Sequence, residues 1–288
     1  MALALVAVVA GLFRFFDPGR WPVFIDEDGY TWAAFQVMDA PWREALARVR
    51  DVLPEKTPWI PVIQGTVATL LAIDPLTSGR LLSAVAGTAT TLLTFALGRR
   101  LADSTVGLLA ATLYALSPVA ILHERMALLD GLMCAAVLGA VVVGWAAVDA
   151  RCTPLAVASA LLGALAVQFK VPAVLTAAMP PALFLAASIR DRRRAGLAAV
   201  MMSGPVASYV ALMASPLGRG LSDQNHHLLD LLGSFWPNVF ELGDALATYF
   251  PFGLAPLAML GLVVRGARCD PPSSSRPRSS SGVRRGCC

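Results

Sequence analysis

Apolar runs of near-bilayer length recur along almost the whole of this chain, and no other feature limits its fold as much. Strong runs cover about 80–98, 105–121, 129–148, 154–169, 171–189, 195–214 and 245–264, each bounded by charge, Pro or Gly. A helix crossing the hydrocarbon core needs roughly 17 to 25 mostly apolar residues. The runs therefore predict an all-α, polytopic membrane protein with little room for anything but helices and short connections. Composition agrees: 57% of the 288 residues are hydrophobic and 15% charged, and the mean hydropathy is +0.65, far from an average soluble domain.

The first apolar stretch, residues 1–16, lacks a basic front region and is followed by Arg14 instead of a small-residue cleavage site. It reads as a short first span, not a signal peptide. Residues 17–57 carry Asp17, Asp26, Glu27, Asp28, Asp39, Glu44, Asp51 and Glu55 among several aromatics, which marks a loop outside the lipid. Trp32, Phe35, Val37 and Met38 recur at near-helical spacing beside Trp42, so the loop is expected to hold helices lying on the membrane surface. Residues 58–73 are short and contain Pro61, Gln64, Gly65 and two threonines, and are expected in the interface.

With that segment interfacial, Arg99/Arg100, Arg151, the run Arg190-Asp191-Arg192-Arg193-Arg194 and Arg265/Arg268 all fall on one side, as the positive-inside rule requires. The expected topology has eight spans with both termini cytoplasmic. The net charge of +4 is thereby read as topology and not as a nucleic-acid surface. Cys134, Cys152, Cys269, Cys287 and Cys288 show no CxxC or His-containing ligand spacing, so neither zinc nor a disulfide framework is supported. Residues 1–267 form the expected transmembrane domain. Residues 268–288, rich in Ser, Pro and Arg, are expected to be a disordered cytoplasmic tail. The abrupt change of composition there is also what a truncated or frameshifted reading would produce.

On this topology the polar side chains that could do chemistry gather on the outer face. Asp26, Glu27 and Asp28 are adjacent carboxylates just after the first span. Such groups raise one another's pKa, which suits a general base, although a solvated acidic loop would look the same. Lys56 immediately precedes the interfacial segment, where it can meet a phosphate or simply snorkel. Arg125 lies in a short outer loop about one and a half helical turns before Asp130, at the mouth of a span. Those two could form a structural ion pair, but a carboxylate entering lipid is costly unless paired or functional. Lys170 interrupts an apolar stretch too long for one helix and marks a tight outer turn, as an anchor or a ligand. His226 and His227 are adjacent and point apart on a helix, so they are poor metal ligands.

Taken in order, these elements resemble glycosyltransferase family 39, the polyprenyl-phosphate-sugar-dependent transferases that include protein O-mannosyltransferases and lipid A aminoarabinose transferases. The resemblance rests on Asp26-Glu27 after the first span and Glu55-Lys56-Thr57-Pro58. It continues through Gly79-Arg80-Leu81-Leu82-Ser83-Ala84, Gly98-Arg99-Arg100-Leu101 and Leu116-Ser117-Pro118, then Arg125 to Asp130 and Lys170-Val171-Pro172. It covers about residues 1–190. It departs at Thr57 and Val171, where the family shows Lys-Pro-Pro and Lys-Gly-Pro, and family members continue for several more spans.

The resemblance implies a GT-C helical bundle in the membrane, bacterial plasma membrane being the expected location, with its site on the extracytoplasmic face. It implies inverting transfer of a sugar from a polyprenyl-phosphate donor to a hydroxyl of a protein, lipid or glycan. Asp26 would be the base with Glu27 beside it, and Asp130 would orient the acceptor or Arg125. Lys56, Arg125 and Lys170 would neutralise the departing lipid phosphate. No cofactor is required by this reading, though a divalent metal could assist the carboxylates. The competing readings are a transporter or flippase, with Asp130 and Lys170 lining a pathway, and a noncatalytic remnant of the family.

Overall fold

The computed structural model describes residues 1–19, 22–38, 40–53, 56–188 and 191–215. The chain divides into two compact units, Met1–Gln224 and Asn225–Cys288, and every described residue belongs to the first. The last expected span, the His226-His227 loop, Glu55, Arg190 and the tail lie outside the described residues.

Among the described residues all regular structure is helical. The order is α1 (Ala2–Phe15), α2 (Ile25–Met38), α3 (Trp42–Val52), α4 (Trp59–Leu71), α5 (Pro75–Leu101), α6 (Ser104–Leu116), α7 (Pro118–Glu124), α8 (Leu129–Ala150), α9 (Thr153–Phe169), α10 (Ala173–Ala187) and α11 (Arg192–Ala214). The acidic loop thus folds into α2 and α3, and the interfacial segment into α4. Caps set several boundaries. The Asp74 carboxylate accepts from the Thr77 amide at 2.9 Å, with Pro75 opening α5. Asp103 accepts from the amides of Thr105 and Val106 at 2.8 and 2.9 Å at the start of α6. A short side-chain oxygen satisfies amides that have no partner inside the helix.

α5, α8 and α11 are each long and apolar enough to cross a membrane. The expected span 105–121 is broken into α6 and α7, which meet at a 61° bend. Its cause is local. Pro118 lacks an amide and suits only a first turn, and the Ser117 hydroxyl accepts from the Ala120 amide, so Ser117-Pro118 ends one helix and begins the next. α1, α4, α9 and α10 are shorter apolar helices of 13 to 17 residues.

The outward faces carry apolar stripes at helical spacing: Leu5, Val8 and Leu12 on α1; Leu109, Leu113 and Leu116 on α6; Leu175, Met179 and Leu183 on α10. Water would penalise such continuous exposure, whereas lipid matches it. The inward faces are small. Ala156, Ala160, Gly163 and Ala166 of α9 are buried, and a methyl at Gly204 of α11 would collide with the Ala160 carbonyl. Close backbone approach through small residues is how helices associate where no hydrophobic effect drives them together.

The charged ends separate. Arg100 pairs with Asp149 at 3.3 Å, Arg151 with Asp191 at 3.0 Å, and Arg193 donates to the Arg151 carbonyl at 3.0 Å, joining the ends of α5, α8 and α9 to the start of α11. The carboxylates and lysines of interest occupy the other ends of these helices. This is an all-helical, integral membrane protein.

Candidate active site

The construction of the charged end begins with Glu27, in the first turn of α2. Its side chain is fully buried, and both oxygens are occupied. Arg80 of α5 donates through Nε to Oε1 and through Nη2 to Oε2, each at 2.9 Å. The Phe24 amide adds a bond of 2.8 Å and the Ala127 amide one of 2.6 Å. Burial pushes the Glu27 carboxyl up, but the Arg80 hydrogen bond, the two amides and the Arg80 charge together outweigh it and leave it below the ordinary glutamate value. Arg80 also donates to the carbonyls of Pro18 and Pro22 at 2.6 and 3.2 Å. One bidentate pair therefore binds the loop after α1, the start of α2, the body of α5 and the α7–α8 turn.

The α7–α8 turn is held from further directions. The Ser83 hydroxyl donates to the Leu128 carbonyl at 3.1 Å. Glu124 is buried against Arg14 of α1 and takes a short hydrogen bond from the Tyr114 hydroxyl. Gly87 packs against this pair, and a side chain there would strike both members. Arg125 donates to the carbonyls of Phe13, Phe16 and Asp17 at 2.9, 2.6 and 3.2 Å, capping the C-terminus of α1 with a cation. The ion pair with Asp130, one of the two readings open from the sequence, is not among the ion pairs of the described residues.

Asp130 pairs instead with Lys170: Nζ lies 2.7 Å from Oδ1, and both side chains are partly exposed. Lys170 is extended and joins α9 to α10, in the tight turn anticipated for it. Next to it, the Thr57 hydroxyl donates to the Phe169 carbonyl at 3.0 Å, and Trp59 Nε1 donates to Gln168 Oε1 at 2.7 Å. These bonds bring Lys56 and Lys170 to either side of one joint, although 113 residues separate them in sequence. Lys56 is half-buried and makes no ion pair among the described residues.

Asp26 is exposed one residue before the buried Glu27, with no side-chain hydrogen bond among the described residues. Tyr30, one turn further along α2, has its ring in the apolar cluster formed with Ile60, Leu128, Ala136, Ala166, Phe169 and Ala173. Burial, then the charges of Asp26 and Asp130, push its phenol above the ordinary tyrosine value. The Ala127 amide bond to Glu27 ties the first turn of α2 to the turn that leads into α8. Asp130 and Lys170 are thus paired, Asp26 stands beside the buried Glu27 that holds the α7–α8 turn, and Lys56 precedes the Thr57 that bonds to the α9–α10 turn, while Glu27 and Arg125 are committed to holding the elements together.

Sequence reasoning did not find Arg80 as the partner of Glu27, Arg14 and Tyr114 as partners of Glu124, or Tyr30 as a buried member of the apolar cluster. A signal existed for the arginines. Arg14 and Arg80 stand inside apolar runs, where an unpaired cation is costly. Among the described residues no group of three metal-ligating side chains occurs.

A membrane-embedded helical bundle with carboxylates and lysines gathered at one end has the build of a membrane enzyme that works at the lipid–water boundary. A family model described as dolichyl-phosphate-mannose-protein mannosyltransferase matches residues 55–218, more than half of the chain, and the chain belongs to this family of membrane glycosyltransferases. The match spans Lys56, Arg80, Arg125, Asp130 and Lys170 and begins after Asp26 and Glu27. No curated protein matches the sequence.

Proposed function

We propose that the protein transfers a sugar from a polyprenyl-phosphate donor to a hydroxyl acceptor, with inversion, on the extracytoplasmic face of the membrane. The observation that carries this reading is the Asp130–Lys170 pair, with the Asp26-Glu27 turn bonded to the α7–α8 turn and the Lys56-Thr57 segment bonded to the α9–α10 turn, at one end of an apolar bundle. A lipid-linked donor arrives within the bilayer and its acceptor from water, so the reacting atoms must meet at such an end.

Asp26 accepts the acceptor hydroxyl's proton as that oxygen bonds to the anomeric carbon. The bond from that carbon to the phosphate oxygen breaks, and its electron pair leaves with the lipid phosphate. Lys56 and Lys170 neutralise the charge that develops there. Asp130 holds Lys170 and orients the acceptor. Glu27 acts through its position, because a carboxylate already taking four hydrogen bonds fixes the first turn of α2 and hence Asp26. Arg125 anchors α1 and adds positive charge at the same end. Single displacement by the acceptor oxygen inverts the anomeric configuration. The acceptor is a protein, lipid or glycan hydroxyl.

The test is transfer of radiolabelled sugar from a panel of polyprenyl-phosphate donors, in membranes containing the wild-type chain or Asp26→Ala. Transfer by the wild type that falls at least about a hundredfold in the variant, the loss expected of a general base, supports the reading. Full activity in the variant removes Asp26 from its role, and a wild type inert toward every donor rejects the reaction.

A further inference from the structure

α9 carries one amide side chain, Gln168, in its last turn, and both ends of that amide are used. Trp59 Nε1 donates to Gln168 Oε1 at 2.7 Å, and Gln168 Nε2 donates to Ser208 Oγ of α11 at 2.8 Å. The Ser208 hydroxyl in turn donates to the Ala164 carbonyl at 3.0 Å, one turn back on α9. An indole can only donate, so the amide must turn its oxygen toward Trp59 and its nitrogen toward Ser208. The next two residues are held as well. The Phe169 carbonyl accepts from the Thr57 hydroxyl at 3.0 Å, and Lys170 Nζ lies 2.7 Å from Asp130 Oδ1. Three consecutive residues at the end of α9 thus bind α4 and its entrance, α8 and α11.

We propose that Gln168 is a positioning residue for sugar transfer, its amide holding the end of α9, and with it Lys170, at a fixed place between the Lys56–Trp59 segment and α11. This rests on the glycosyl-transfer reading above and deepens it by naming what keeps the two phosphate-neutralising lysines at a constant separation. Lys170 is the first residue beyond α9 and is extended (φ −151°, ψ 121°), so its place is set by the helix end it leaves. Its charge serves the departing phosphate only while it stays in position, because small displacements of a catalytic cation are costly. Packing alone does not call for an amide here. A methionine would fill the same length without a polar group to satisfy in an apolar wall. Trp59 is 39% exposed, so the link runs from the surface of the bundle through Gln168 to α11.

The experiment measures two constants for the full chain in membranes: the KM for the preferred polyprenyl-phosphate sugar, and the Ki of polyprenyl phosphate carrying no sugar as an inhibitor of transfer. Gln168→Met keeps the length of the side chain and removes both bonds. It should raise KM and Ki by one common factor of about three to ten, the worth of one or two modest hydrogen bonds, with a smaller change in kcat. Trp59→Phe keeps an aromatic ring and removes the indole N–H; it should raise both constants by less, and not at all in a Gln168→Met background. Unchanged KM and Ki, with or without a lower melting temperature, overturn the proposal and leave Gln168 a packing residue, and so do losses from the two substitutions that multiply in the double variant. If Gln168→Met fails to fold, Trp59→Phe alone decides through the same two constants. All these outcomes leave glycosyl transfer standing, whereas a wild type inert toward every donor overturns the transfer reading and the proposal together.

Discussion

At the scale of single residues, the buried Glu27–Arg80 pair sets the sharpest expectations. Removing one partner strands a charge in a dry site, so Arg80→Ala should destabilise the protein by about 3–5 kcal/mol, read as a fall in the melting temperature of the detergent-solubilised chain. The folded state holds the Glu27 carboxyl below its unfolded value. Its contribution is therefore fully present above the unfolded pKa, about 4.3, and is lost as the pH falls through the lower, folded pKa. Melting curves taken below about pH 4.3 should show this loss in the wild type, and Glu27→Gln should lack that share of the pH dependence. The residue scale is also where sequence reading reached least far. Arg125 and Asp130 look like partners because they are close in sequence, but five residues along a helix point about 140° apart, and the turn at 125–128 separates them further. Lys170 lies 40 residues from Asp130, and only the packing of α8 on α9 makes them neighbours. The residue types of the site were legible because charges beside apolar runs stand out, whereas their pairing depends on contacts far apart in the chain.

At the scale of elements, most helices were visible as apolar runs, and the one break that was read through, at Ser117-Pro118, interrupts a run whose hydropathy continues unchanged on both sides. Hydropathy is blind to a missing amide. The joint between the α4 entrance and the α9–α10 turn is likewise hidden from hydropathy, since it is made by two side-chain bonds, from the Thr57 hydroxyl and the Trp59 indole. Thr57→Val keeps the shape and removes the donor. It should loosen Lys56 relative to Lys170 and raise the KM for the polyprenyl-phosphate donor severalfold with a smaller change in kcat, and Thr57→Ser should restore it. The α9–α11 crossing makes a separate demand. Gly204→Val should cost about 1–3 kcal/mol through overpacking against the Ala160 carbonyl, measured again by thermal unfolding in detergent.

At the scale of the whole molecule, the arginine-linked helix ends and the carboxylate–lysine end define a polarity across the membrane. Single cysteines introduced at Asp28 and Arg194 in a cysteine-free background should label with an impermeant maleimide from opposite sides. Asp28→Cys should react in intact cells, and Arg194→Cys only after permeabilisation. The reverse pattern would turn the proposed orientation over. The clamp on α1 carries a further consequence, for biogenesis. Arg14 enters the membrane with the first helix, yet its carboxylate partner Glu124 is made 110 residues later, and the Arg125 cap follows directly after it. Until α7 is synthesised, Arg14 at the end of the first helix lacks the carboxylate it pairs with in the folded protein, so the order of synthesis sets when this end of the protein can be locked.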